Sequence, residues 1–196
     1  MRDILVIIVT AVLSDNLVLS RSLGVCPFLG SGSDIRRSLR LGLLTTLCMC
    51  VSAMIAWPVS SIYLRPNGLS HLETLAFVLI IASVVQLAET LIRHFSAENG
   101  GLGTWLPLIA SNCAIIGVCT QNAEEGYSFA QSVANAAAGG AGFIIALLIF
   151  AGIHVRRDGS DIPKPFRGIA ISLIAAAIVS LSFMGFAGLA GGIFGS

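Results

Sequence analysis

The chain has 196 residues, of which 56% are hydrophobic and only 11% are charged, and its formal net charge is +1. Average soluble domains are about 25% charged, so this chain has too few polar side chains to cover a soluble globule. The small net charge, without a large basic patch, excludes a nucleic-acid partner, and a mean hydropathy of +0.92 excludes intrinsic disorder. The composition predicts an all-α integral membrane protein that is mostly surrounded by membrane lipid.

Six stretches are long and apolar enough for transmembrane helices, which need about 20 residues each. These predicted spans are 4–28, 41–62, 72–92, 102–122, 127–153 and 168–194. Gly24 and Pro27 interrupt span one, and Pro107 and Gly117 interrupt span four, so both spans are expected to be broken. The small residues at 136–142 in span five would let neighbouring helices approach closely.

The six spans divide into two units of three at the polar, glycine-rich joint 97–101. A unit with an odd number of spans re-enters the membrane facing the other way, so two homologous units of this kind form inverted repeats. Each broken span is the first of its unit, which favours residues 1–96 and 97–196 as the two repeats. An ordinary six-helix bundle with two proline-kinked helices is the alternative.

The distribution of Lys and Arg predicts the orientation of the chain. Eight of these residues lie in the loops that follow spans one, three and five, whereas Arg2 and Arg65 lie on the opposite side. Loops rich in Lys and Arg stay on the cytoplasmic side of the membrane. We therefore expect both termini on the outer side.

All five cysteines lie within predicted spans, and two of them, Cys26 and Cys113, stand at helix breaks. Helix N-termini exposed at such breaks carry positive partial charge and free N–H donors, which suit a thiolate or a thiolate-bound cluster. Two thiolates are half of the ligand set of an iron–sulfur cluster, so a second chain would have to supply the rest. The simpler interpretation is that each cysteine is a small buried hydrophobic residue.

Span one also contains ionisable and polar residues. Charged side chains inside a span are costly, by about 2.5–3.5 kcal/mol on insertion scales. Asp15 and Arg21 therefore indicate either an ion path or charges that tune the cluster potential. The structural alternative is a mutual ion pair, or side chains that extend to the polar break between half-helices. Asn16 and Asn112, the asparagines of the two broken spans, belong to the same candidate set for an ion path or for cluster tuning.

Three groups of motifs carry a family resemblance: DNLVL (15–19) with LGVCPFLG (23–30), LPLI (106–109) with NCAIIGV (112–118), and DIP (161–163) with PFRG (165–168) and FMGF (183–186). Together they resemble the A-type subunits of Rnf electron-transport complexes, which are related to the D-type and E-type subunits of the sodium-translocating NADH:quinone oxidoreductase. The resemblance runs through the whole chain. It departs at Asp15, where the family usually has Asn.

The resemblance implies two inverted three-helix repeats, with half-helices in spans one and four, in the bacterial cytoplasmic (inner) membrane. It implies a 2Fe-2S cluster that takes two ligands, Cys26 and Cys113, from this chain. The other two ligands would come from a homologous partner of opposite topology, like the E-type subunit of the Rnf complex.

The implied function is electron transfer across the membrane within a ferredoxin:NAD⁺ oxidoreductase that is coupled to Na⁺ or H⁺ translocation. The chain would have no complete active site of its own, because flavin and further iron–sulfur centres would lie on other subunits. Two other functions stay open: a secondary transporter, for which broken helices in an inverted repeat are also expected, and a scaffolding subunit without a redox centre.

Overall fold

A computed structural model describes residues 7–8, 10–14, 21, 23–24, 35–68, 70–95, 112–158 and 169–194. Every regular element within these ranges is helical, and they contain no β-strand. The prediction of an all-helical chain is therefore confirmed for the described part. About half of predicted span four and most of predicted span one lie outside the described part.

The described residues include five α-helices, which are α1 (Ile35–Pro58), α2 (Glu73–Phe95), α3 (Cys113–Glu124), α4 (Phe129–Asp158) and α5 (Ile169–Phe194). Short π-helical turns occur at Thr10–Ser14 and at Val59–Leu64, and a 3₁₀ turn, Ser70–Leu72, precedes α2. The helices α1, α2, α4 and α5 correspond to predicted spans two, three, five and six.

Among the residues that the structure describes, three helical stretches can cross a membrane by length and composition: Ser38–Leu64, Glu73–Leu91 and Phe129–Val155. A shorter apolar stretch, Ala170–Phe183, lies within α5. Much of the apolar surface of α2 faces outward, since Leu75, Leu79 and Leu87 are all more than half exposed. A contiguous apolar surface of this kind indicates contact with lipid or with another membrane protein.

Local sequence explains where these helices change or end. Pro58 has no N–H to donate within a helix, and α1 gives way to the π-helical turn directly after it. Gly126 has a φ of +64° and follows α3, as expected for a glycine beyond a helix C-terminus. Ser128 precedes α4, and its N–H donates to Oε1 of Gln131 at 2.9 Å, which is half of a capping box.

The centre of the fold is the packing of α1 against α4. Two glycines allow the close approach: a Cβ at Gly140 would lie 2.3 Å from Cγ2 of Thr46, and one at Gly42 would lie 2.8 Å from Cγ1 of Ile144. The small-residue stretch predicted in span five therefore contains a helix contact point. Large buried side chains complete the core, among them Met49, Phe77, Ile115, Phe143 and Leu147.

The remaining elements flank this central pair. The short helix α3 packs against α1, α2 and α4, whereas the turn Thr10–Ser14 packs against α4 and α5. The described parts of predicted spans one and four thus each contact two helices from the other unit of three predicted spans: Thr10–Ser14 contacts α4 and α5, and α3 contacts α1 and α2.

Candidate functional site

Cys113 is the first residue of α3, and Asn112 is the N-cap of that helix. The Asn112 backbone is extended (φ −77°, ψ 102°), and its side-chain Oδ1 accepts a hydrogen bond from the N–H of Ala114 at 3.1 Å. Asparagine is among the residues that N-cap positions prefer for this reason. The cap places Cys113 at the helix end that carries positive partial charge.

The first predicted span meets the fourth at this cysteine. The backbone N–H of Gly24 donates a hydrogen bond to Sγ of Cys113 with an N···S distance of 2.9 Å, although the two residues are 89 positions apart. The side chain of Cys113 is half-buried. An N–H donor and a helix N-terminus both stabilise a thiolate, which is the form of cysteine that binds metals.

This contact needs a glycine at position 24. Gly24 has a φ of +83°, in the left-handed region that other residues adopt at a cost. A Cβ there would lie 2.7 Å from Oδ1 of Asn112 and 3.1 Å from Cε2 of Phe143. A residue with a side chain at this position would therefore push the first span away from the start of α3.

Asn112 is nearly inaccessible, with 1% of its surface exposed. Its Oδ1 caps the helix, whereas its Nδ2 has no hydrogen-bond partner among the described residues. A buried amide donor without an acceptor is costly, by about 1–3 kcal/mol. The site therefore holds a spare amide donor on the residue that directly precedes Cys113.

The described ranges contain no group of three or more His, Cys, Asp or Glu residues that could hold a metal ion. An iron–sulfur cluster takes four thiolate ligands, so Cys113 would be one member of a set completed by residues beyond these ranges and by another chain. The residues present fit such a cluster: a half-buried thiol, a backbone donor on its sulfur, a helix N-terminus and a spare amide donor.

The structure brings together Asn112 and Cys113 from the predicted site residues. Arg21, which was predicted to lie within span one, is exposed. The three other predicted site residues lie outside the described residues: Asp15, Asn16 and Cys26.

The other described cysteines behave differently from Cys113. Cys48 and Cys119 are free thiols with 3% and 2% of their surface exposed, and both belong to the hydrophobic core. Cys50 is a free, half-buried thiol that packs against the same core. These three fit the interpretation of cysteine as a small hydrophobic residue.

A buried asparagine pair, which no sequence motif indicated, ties α3 to α4. Nδ2 of Asn135 donates to Oδ1 of Asn122 at 2.8 Å, and Nδ2 of Asn122 donates to the carbonyl of Ser132 at 3.2 Å. The two asparagines lie in different spans and each has other polar residues near it, such as Gln121 and Ser132, so no local pattern links the two. The pair anchors the helix that presents Cys113.

A separate cavity of about 260 Å³ lies between α1 and the α3–α4 turn, and neither Asn112 nor Cys113 lines it. Nε1 of Trp57 donates to the Tyr127 carbonyl at 2.7 Å at its edge. The Arg65 guanidinium donates to the Ala123 carbonyl beside it. These bonds connect the end of α1 to the end of α3.

Comparison with known proteins gives a family match over almost the whole chain. The family described as "Rnf-Nqr subunit, membrane protein" matches residues 4–190. A protein of Syntrophotalea carbinolica, named as the A-type subunit of an ion-translocating oxidoreductase complex, is 42% identical over 193 residues, which cover 98% of this chain and 100% of that protein. Proteins of the same name from Yersinia enterocolitica and Yersinia pseudotuberculosis are 43% and 42% identical over 190 residues, which cover 96% of this chain and 98% of each relative.

The match confirms the resemblance that the motifs indicated, including the likeness to the A-type subunits. Because the family match and the relatives both extend over nearly the full length, this chain belongs to the Rnf-Nqr family of membrane subunits.

Proposed function

We propose that this chain is a membrane subunit of an ion-translocating oxidoreductase complex and carries electrons across the membrane through a 2Fe-2S cluster shared with a homologous subunit. The names of the relatives support the first part, because each is named as the A-type subunit of such a complex. The observation that carries the second part is the hydrogen bond from the Gly24 N–H to the Cys113 sulfur.

The bond matters because Cys26 follows Gly24 by two residues. Two residues of extended chain span at most about 7 Å, so the covalent chain limits how far Cys26 can be from the Gly24–Cys113 contact. This supports Cys26 and Cys113 as the two ligands from this chain. The partner would supply the other two thiolates of the four-ligand set.

A 2Fe-2S cluster bound by these cysteines would supply a one-electron store within the membrane. The residues of this chain would hold and tune it. The Gly24 N–H and the N-terminus of α3 stabilise negative charge on the Cys113 sulfur, and Phe143 closes one side of the contact. Hydrogen bonds to sulfur and solvent exposure are among the features that set cluster potentials.

We extend the proposal to the reaction of the whole complex on family membership alone. The complex would transfer electrons between ferredoxin and NAD⁺, coupled to Na⁺ or H⁺ translocation across the bacterial inner membrane. Flavin and further iron–sulfur centres would lie on other subunits, so this chain would contribute to an oxidoreductase without a complete active site.

We also propose that residues 1–96 and 97–196 form two inverted three-helix repeats with six spans in all. The packing supports this arrangement. Exchanging the halves maps α1 onto α4, and it maps the contacts of the turn Thr10–Ser14 with α4 and α5 onto those of α3 with α1 and α2. A pseudo-twofold relation would produce such reciprocal contacts.

The cluster is tested by replacing Cys113→Ser and Cys26→Ser separately in the assembled complex. Each change should abolish the electron paramagnetic resonance signal of the shared 2Fe-2S cluster and stop ferredoxin-driven NAD⁺ reduction, because a hydroxyl is a poor iron ligand. Cys50→Ser is the matched control: it is also half-buried, and it should leave the signal intact.

Unchanged spectra and activity in both variants would contradict the proposal and favour a purely scaffolding function. A secondary transporter would instead move its substrate without redox partners. The names of the relatives favour the redox function over that alternative.

A further inference from the structure

We infer that the side-chain amide of Asn112 donates, through Nδ2, a hydrogen bond to a sulfur of the shared cluster and thereby raises its reduction potential. The inference rests on the proposed function and deepens it. It assigns Asn112 as a positioning residue whose two amide atoms have separate tasks. Oδ1 would fix the helix that presents Cys113, and Nδ2 would act on the cluster.

The first step is the orientation of the amide. Oδ1 accepts the N–H of Ala114 at 3.1 Å, and only the oxygen of an amide can accept such a bond. This contact distinguishes Oδ1 from Nδ2 and directs Nδ2 away from the helix backbone. The orientation of Asn112 therefore follows from its environment.

The second step is the missing partner. Asn112 has only 1% of its surface exposed, and its Nδ2 has no acceptor among the described residues. Buried polar groups in proteins are nearly always hydrogen-bonded. The lack of an acceptor in this part of the fold indicates that Nδ2 serves a group absent from it.

The third step is the location. A Cβ on Gly24 would lie 2.7 Å from Oδ1 of Asn112, so the amide lies against the residue whose N–H donates to Sγ of Cys113. Because Nδ2 and Oδ1 share one planar group, Nδ2 is close to the same contact. The residue after Asn112 is Cys113, whose sulfur accepts that bond, and Gly24 precedes Cys26 by two positions in the sequence.

The fourth step is the direction of the effect. One-electron reduction adds a negative charge to a cluster, and a donor on a sulfur stabilises the reduced form more than the oxidised form. This stabilisation is stronger in a buried, weakly polarisable environment than in water. Removal of the donor should therefore shift the potential to more negative values.

The test uses Asn112→Ser and Asn112→Asp in the intact complex, with redox titration followed by electron paramagnetic resonance. Serine and aspartate are both good N-caps, so α3 should still start at Cys113, but neither has an amide N–H. We expect the midpoint potential to fall in Asn112→Ser and to fall further in Asn112→Asp, which adds a negative charge.

The matched control is Gln121→Ser, which removes another buried side-chain amide from the same helix, at a position eight residues beyond Cys113. Its potential should equal that of the unmodified complex. An equal potential in Asn112→Ser, with the cluster signal present, would overturn the inference and leave the proposed function standing. A missing cluster signal in the unmodified complex would instead overturn the proposed function and this inference with it.

A second measurement covers variants that lose the cluster. Asparagine labelled with ¹⁵N in its side-chain amide should show a nuclear coupling to the reduced cluster of the unmodified complex by electron–nuclear double resonance. The absence of that coupling would overturn the inference whatever the variants do.

Discussion

At the scale of single residues, Gly24 is the position where backbone conformation and site geometry depend on each other most directly. We expect Gly24→Ala to cost about 1–2 kcal/mol for the left-handed backbone, and more for the clash of its Cβ, 2.7 Å from Oδ1 of Asn112. The first span should then move away from α3 and withdraw its N–H from Cys113. The thermal stability of the purified complex and its cluster signal should both decrease.

The matched control is Gly68→Ala. Gly68 also has a positive φ, +70°, but a Cβ there would meet nothing within 4 Å. The Gly68→Ala variant should lose only the stability that the left-handed backbone costs, and it should keep the cluster signal. Equal losses of cluster signal in the two variants would contradict a specific function for the Gly24 contact.

The sequence predicted Asn112 and Cys113 as site residues because a helix break beside a cysteine is visible locally. It did not predict the donor on the sulfur. Gly24 and Cys113 are 89 positions apart, and no property of either segment alone shows that a backbone N–H of one meets a side chain of the other. Tertiary packing decides such contacts.

At the scale of secondary-structure elements, the crossing of α1 and α4 is the contact on which the fold depends. We expect Gly140→Ala to destabilise the protein by about 1–3 kcal/mol, the usual cost of overpacking a core. The added Cβ would lie 2.3 Å from Cγ2 and 2.7 Å from Oγ1 of Thr46. Thermal unfolding of the detergent-solubilised complex measures the loss.

Two further variants separate the clash from other effects. Gly152→Ala lies in the same helix and meets nothing within 4 Å, so it should cause no loss. Adding Thr46→Ala to Gly140→Ala removes the two closest atoms and should recover part of the stability. A stable Gly140→Ala variant would show that the helices have room to separate.

Apolar length predicted where α1, α2, α4 and α5 lie but not all of their ends, because α1 begins at Ile35 instead of 41 and α4 ends at Asp158 instead of 153. The asparagine pair between α3 and α4 was not predictable, because Asn122 and Asn135 become partners only when their helices turn these faces toward each other. Polar residues in an apolar span do not reveal which neighbour satisfies them. Hydropathy therefore predicts spans better than it predicts the contacts between spans.

At the scale of the whole molecule, two features bear on how the chain is oriented in the membrane. One is the reciprocal packing of the two halves, and the other is the uneven distribution of Lys and Arg. Inverted repeats place the two broken spans in opposite directions, so the segments that meet at Cys113 would enter the membrane from opposite sides. The charge distribution then predicts which side is the cytoplasm. The exposed apolar face of α2 offers the surface that lipid or a partner protein would cover.

The predicted orientation can be tested at the two ends of α2. Asn67 precedes this helix and His94 lies in its last turn, and both residues are exposed. If the α1–α2 loop is on the outer side, Asn67→Cys should react with a membrane-impermeant maleimide in spheroplasts, and His94→Cys should react only after permeabilisation. The unmodified protein gives the background, which should be low because its described cysteines are buried or half-buried within helices. The reverse labelling pattern would place both termini in the cytoplasm, and equal labelling from outside would contradict α2 as a spanning helix.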